Sequence, residues 1–166
     1  MDKLWSPWRS KYIDSFKPGG VKEEGCLFCR IPKEDRDKEN YLIYRSTSSF
    51  IIMNLYPYNS GHLMIVPYKH TALLNELDNN EKLDCFNMIN LGCKLLEISI
   101  YPHGYNIGVN LGKVSGAGID EHVHFHIVPR WNGDTNFMPV LNDVKLISEA
   151  MDDTYSKLTA ALKKVL

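Results

Sequence analysis

The run Glu121-His122-Val123-His124-Phe125-His126-Ile127-Val128-Pro129-Arg130 constrains this chain more than any other segment, because its histidines alternate with large apolar residues. Successive side chains of a β-strand point to opposite faces, so His122, His124 and His126 share one face while Val123, Phe125 and Ile127 share the other. One face can pack on a core, and the other is left for chemistry. Histidine is neither a strong strand former nor a usual filler of a solvent face, so a half-buried strand with a merely polar outer face accounts poorly for the row. Imidazole serves two chemistries, as a metal ligand and as a nucleophile or acid–base group that titrates near neutrality. No carboxylate closely follows His126, which weighs against a metal centre built on the row, and the neighbouring Arg130 suggests anion binding.

The segment His122-Val123-His124-Phe125-His126-Ile127-Val128 resembles the signature of the histidine-triad superfamily of nucleotide hydrolases and transferases. A second block, Asn54-Leu55-Tyr56-Pro57-Tyr58-Asn59-Ser60-Gly61-His62-Leu63-Met64-Ile65-Val66-Pro67, is similar to that superfamily's Asn…Pro…Gly-His-hydrophobic-Pro segment. The start from Leu4 to Arg9 and the tail from Trp131 to Phe137 resemble a narrower group, the bacterial diadenosine-tetraphosphate phosphorylases of mycobacterial type. The resemblance implies an α+β fold, a five-stranded antiparallel sheet with packed helices that dimerises by joining sheets. It implies that His124 is the nucleophile, attacking the α-phosphorus of a nucleotide to form a nucleotidyl-imidazole, with His126 and His62 contacting the phosphate. By the same resemblance Asn54 stands on the ribose side of the nucleotide and Asn110 on its phosphate side.

A length of 166 residues with 44% hydrophobic content suits one domain. Residues 1–25 carry Trp5, Trp8, Pro7 and Pro18 without a clear period and read as an N-terminal arm, leaving 26–166 as the domain. Strands are expected over Tyr41 to Arg45, Ser49 to Asn54, Gly61 to Val66, Gly104 to Leu111 and His122 to Pro129. Asp78 followed by Glu81 predicts a capping box, and Leu83, Phe86, Ile89, Asn90 and Cys93 then form a largely apolar helical face that ends before Pro102. Asp143 to Leu166 reads as another helix. His103, beside Pro102 and Gly104, reads as a turn residue.

Cys26-Leu27-Phe28-Cys29 is a CxxC motif, which outside oxidising compartments means zinc or redox chemistry more often than a structural disulfide. A redox CxxC opens a helix in a βαβ unit, and none is readable around Pro32, so zinc is favoured. A structural zinc wants four ligands in a tetrahedron. The resemblance supplies the other two as His70 and the first triad histidine, His122, leaving Cys85 and Cys93 to simple burial on the helix.

Asn110 to Ile119 is rich in glycine, and glycine lets backbone N–H groups approach a phosphate. Next to the triad it reads as a phosphate cradle, with Ser115, Gly116, Gly118 and Lys113 as candidate donors. The segment departs from the superfamily pattern, which has Gly-Gln-Ser or Gly-Gln-Thr here, so Ser115 or Lys113 must replace the missing contacts. The net charge of −1 supplies no global field for nucleic acid, so a polyphosphate must be held by local donors. Met1 to Trp8 has no apolar core of a secretory signal, and no stretch nears the roughly 18 apolar residues of a membrane span. The expectation is a cytoplasmic homodimer that binds no nucleic acid or membrane, holds structural zinc, and cleaves dinucleoside polyphosphates at the α-phosphate. An AMP-lysine-type phosphoramidase, or a zinc-stabilised nucleotide-binding regulator with little turnover, are the alternatives.

Overall fold

Five apolar-rich runs pair into one antiparallel sheet, β1 (Leu42–Arg45), β2 (Ser49–Met53), β3 (Leu63–Pro67), β4 (Gly104–Val109) and β5 (Phe125–Arg130), in the order β1-β2-β3-β5-β4. The structure is a computed structural model that describes residues 25–115, 118–134 and 147–166. The expected arm up to residue 24, Gly116 and the end of the Trp131 to Phe137 tail lie outside the described residues. The helices are α1 (Leu27–Arg30), α2 (Asn79–Ile100) and α3 (Met151–Val165). Among the described residues no helix is long and apolar enough to cross a membrane.

Every residue of β2 and β3 is buried, because both faces of the sheet centre are covered. On one face Ile51, Met53, Leu63, Ile65 and Ile127 pack against Cys85, Met88, Ile89, Leu95 and Leu96 of α2 and Leu158 and Ala161 of α3. On the other, Leu42, Phe50, Ile52, Met64 and Val66 pack with Phe28 and Ile31. His126 pairs with Met64, and Phe125 with Ile65, so the imidazole belongs to the second face and the apolar alternates to the first.

The structure corrects two boundaries and one buried face. The β5 ladder begins at Phe125, and ahead of it the Val123 N–H bonds the Thr71 carbonyl at 2.6 Å instead of a strand partner. The capping box at Asp78 and Glu81 forms as expected, but α2 buries Cys85, Met88, Ile89, Gly92, Leu95 and Leu96 and leaves Leu83 and Phe86 each 61% exposed. This helix has two apolar stripes, and periodicity cannot tell which one meets the sheet. The last helix starts at Met151, not Asp143; residues 147–150 are not helical and 143–146 lie outside the described residues.

Two glycines fix how the helix sits. A Cβ at Gly92 would stand 2.8 Å from Ile127 Cδ1, so glycine there lets α2 approach β5, the strand that carries His126. Gly61 has φ +77°, and a Cβ there would stand 2.5 Å from Ile100 Cδ1 and 3.0 Å from Leu96 Cδ2. The turn into His62 is thereby pressed against the end of α2. Asp84 ties the β1–β2 turn to the same helix, accepting from Ser46 Oγ at 2.5 Å, Ser49 Oγ at 2.6 Å and the Ser48 N–H at 3.2 Å.

Candidate active site and metal centre

His62 leads into β3 and His126 lies on β5, so sheet pairing brings the two histidine-bearing sequence blocks to one place. His62, His122, His124 and His126 are 1%, 0%, 4% and 8% exposed. His124 Nδ1 lies 2.9 Å from the His122 carbonyl, which can only accept, so Nδ1 carries the proton and Nε2 keeps its lone pair. The Phe28 ring packs on His124 at 5.0 Å between centroids and on His122 at 5.6 Å, fixing both rings from the α1 side. Burial pushes the His124 pKa below the usual imidazole range. It pushes that of His126 down to about 4, with neighbouring His124 adding to the effect. Both are uncharged at neutral pH, which suits a nucleophile.

His126 Nδ1 stands 3.0 Å from His62 Nε2. His126 Nε2 is, among the described residues, the one buried side-chain N or O atom without a hydrogen-bond partner. Buried polar atoms are rarely left in that condition, and such an atom marks where a ligand oxygen fits. The arrangement thus offers an unprotonated nitrogen on His124 and an unsatisfied nitrogen on His126, with the rings 4.8 Å apart.

The remaining sequence-derived residues are placed less centrally. Asn54 is half-buried beside His62, its Oδ1 accepting from the Tyr56 N–H at 2.9 Å. Asn110 is half-buried just after β4. Lys113 and Ser115 lie exposed on a short 3-10 turn, and Ser115 Oγ donates to the Gly112 carbonyl at 2.6 Å. Gly118 is exposed in the same loop, and Gly116 lies outside the described residues. Arg130, expected to favour an anion, instead grips Asp134 through Nε at 2.6 Å and Nη2 at 2.8 Å, with Nη1 on Asn106 at 2.7 Å. A carboxylate four residues along the chain reaches the guanidinium in a bidentate fork, and local geometry decides its partner. Two aromatic contributions were missed. The sequence pattern assigns no role to Phe28, which packs on His122 and His124, or to Tyr58, whose ring stacks on His62 at 4.9 Å; an aromatic four residues before a histidine in a Pro-containing turn was the available signal for Tyr58.

Cys26, Cys29, His70 and His122 come together with their ligand atoms all within 4.8 Å of one another. Atoms about 2.0–2.3 Å from a tetrahedral zinc stand about 3.3–3.8 Å apart. The observed Sγ to Nδ1 separations are 3.3 Å for Cys26–His122, 3.6 Å for Cys29–His122 and 3.3 Å for Cys29–His70. His122 Nε2 donates to the Pro67 carbonyl at 2.9 Å, which leaves Nδ1 unprotonated and facing the thiols, the tautomer a metal ligand needs. The Cys29 thiol is pushed up by burial and by neighbouring Cys26, a repulsion that a cation between them would reverse. The donor set and its spacing fit zinc.

A sheet with the triad on its covered face, closed by a CxxC–histidine cluster, is the layout of a histidine-triad protein. The HIT domain model matches residues 35–133, and the chain belongs to that family. It is 34% identical over 158 residues to the AP-4-A phosphorylase of Mycobacterium tuberculosis, a match covering 93% of this chain and 80% of that protein. It is 30% identical over 107 residues to the adenosine 5'-monophosphoramidase hnt1 of Schizosaccharomyces pombe, covering 64% of this chain and 75% of that one. Among solved structures, a zinc-bound histidine triad family protein from Mycobacterium smegmatis superposes with a TM-score of 0.69 at 25% identity, covering 85% of this chain and 95% of that one.

Proposed function

We propose that this protein is a nucleotidyl-transferring enzyme that cleaves dinucleoside polyphosphates such as diadenosine tetraphosphate at the α-phosphate, with His124 as nucleophile. The observation that carries the reading is the fixed tautomer of His124, whose Nδ1–H is held by the His122 carbonyl so that Nε2 is the lone pair in a water-poor site. That lone pair attacks the α-phosphorus, a nitrogen–phosphorus bond forms, and the bond to the bridging oxygen breaks, its electron pair leaving with the departing nucleotide. An acceptor oxygen then attacks the same phosphorus and returns the pair to Nε2. His126 Nε2 meets an oxygen of the transferred phosphate, where charge accumulates. The mycobacterial phosphorylase, similar over 93% of this chain, supports inorganic phosphate as acceptor, and Lys113, Ser115, Gly116 and Gly118 are the groups we assign to hold it. Asn54 and Asn110 flank the nucleotide.

Cys26, Cys29, His70 and His122 would hold a structural zinc, whose part is to contribute folding energy and to pin the segment that carries His124. A second copy joins along β4, an edge strand on which Ile107 is 49% exposed.

His124→Ala should bind nucleotide as a folded protein and lose turnover by about a thousandfold or more, because no other group provides the two-step route. Product analysis with diadenosine tetraphosphate should give ATP and ADP, faster with phosphate than without. A variant keeping a tenth of the activity overturns the nucleophile. Equal rates with and without phosphate, yielding AMP and ATP, replace phosphate by water. The phosphoramidase relative supports a second reading, which faster release of lysine from AMP-lysine would favour.

A further inference from the structure

His62 has both ring nitrogens engaged, and the direction of each bond can be assigned. Asn54 Oδ1 accepts from the Tyr56 N–H at 2.9 Å, which turns Asn54 Nδ2, a donor, toward His62 Nδ1 at 3.2 Å. The Tyr58 N–H donates to the same Nδ1 at 3.1 Å. A ring nitrogen that receives two N–H groups carries no proton of its own, so the His62 proton sits on Nε2. That Nε2–H faces His126 Nδ1 at 3.0 Å and donates to it. With Nδ1 as acceptor, neutral His126 carries its proton on Nε2, the buried nitrogen that has no partner. The Tyr58 ring lies over His62, stacked at 4.9 Å with 29° between planes, and blocks the ring flip that would reverse the order.

We propose that His62 is a positioning residue that sets the tautomer of His126 through a one-way chain of N–H groups running from Asn54 and Tyr58, so that His126 presents a hydrogen-bond donor to its ligand. His62 thus acts on the phosphate through His126 and does not touch it. Without the chain, His126 can place its lone pair on Nε2, and that lone pair repels an anionic oxygen. The identity of that oxygen as part of the transferred phosphate rests on the function proposed above; the direction of the chain does not.

The test compares His62→Ala, His62→Asn and His62→Gln. Glutamine can put an N–H near the position of Nε2, asparagine supplies only the Nδ1 side, and alanine supplies neither. Nitrogen-15 spectra of labelled histidines, recorded without nucleotide, report which ring nitrogen is protonated. In the parent protein His62 and His126 should be Nε2–H tautomers and His124 the Nδ1–H tautomer. His62→Ala and His62→Asn should shift His126 to a tautomer mixture and lower kcat by about 10- to 100-fold, with KM changed far less, as expected for a lost donor in the transition state. His62→Gln should keep the Nε2–H form and most of kcat. A His126 that stays Nε2–H in His62→Ala or His62→Asn overturns the proposal, as does an equal kcat loss in folded Gln and Asn variants. Should His62→Ala fail to fold, the Gln and Asn pair decides. Should the parent protein turn over no dinucleotide, the proposed function fails while the spectra still decide the chain.

Discussion

Acid should unfold this protein partly through His126. Its side chain is 8% exposed, and burial holds its pKa down to about 4. In the unfolded chain the same imidazole takes up a proton near about 6.5. Because the folded pKa is the lower one, the stabilisation is fully present above about pH 6.5 and is lost as pH falls through about 4. Proton linkage with those two values gives a loss of about 1.4 kcal/mol at pH ~5.5 and about 2.5 kcal/mol at pH ~4.5. His124, also held below its usual range by burial, adds in the same direction. Loss of a bound metal in acid would add as well, so the comparison needs a second protein that isolates His126. The comparison is therefore with His126→Gln, which cannot titrate and keeps every other group. Urea unfolding at pH ~7.5, ~5.5 and ~4.5, extrapolated linearly to water, gives both stabilities. The gap between the proteins should narrow by about 2.5 kcal/mol across that range. Curves that run parallel to within about 0.5 kcal/mol would show that His126 titrates normally, and would refute the buried-neutral picture.

Two further outcomes are open to direct measurement. Elemental analysis of protein purified without chelator should find about one zinc per chain, and Cys26→Ser should abolish it while costing about 4 kcal/mol of stability at free zinc about a thousandfold above Kd; a metal-free parent protein of equal stability contradicts this. Gly61→Ala, which meets both a positive φ and the crowding by Ile100 and Leu96, should lose about 1–3 kcal/mol in urea unfolding. A loss under about 0.5 kcal/mol would mean that the turn yields without strain.

The sheet was legible because its strands are apolar runs cut by turn residues, and all five appear with ends moved by a few residues. The Cys26 and Cys29 half of the candidate metal site was legible because a CxxC pair has few other uses in such a chain, and the fold gathers both with His70 and His122. The resemblance to histidine-triad proteins supplied His70 and His122, which spacing could not have chosen. The buried stripe of α2 was not legible, since Leu83 and Phe86 are as apolar as Met88 and Ile89 and only the position of the sheet separates them. Nor was the fate of Arg130, because a charged side chain beside a site is claimed by whichever partner folding brings nearest, here Asp134. Hydrogen-bond direction around His62 was out of reach too, as it depends on backbone N–H groups of Tyr56 and Tyr58 that no side-chain pattern encodes.

The alternation around β5 also makes folding and site assembly a single condition. Ile127 is fully buried against the helices, and His126 sits opposite Met64 on the other face. Sliding the strand by one residue would exchange the faces, driving His126 into an apolar layer and placing Phe125 or Ile127 where its imidazole belongs. Such a molecule could not present His122 to the cysteines or His124 to a substrate. If the proposed site and metal are right, metal content and turnover per chain therefore count the same population, the molecules whose central strands have found their register.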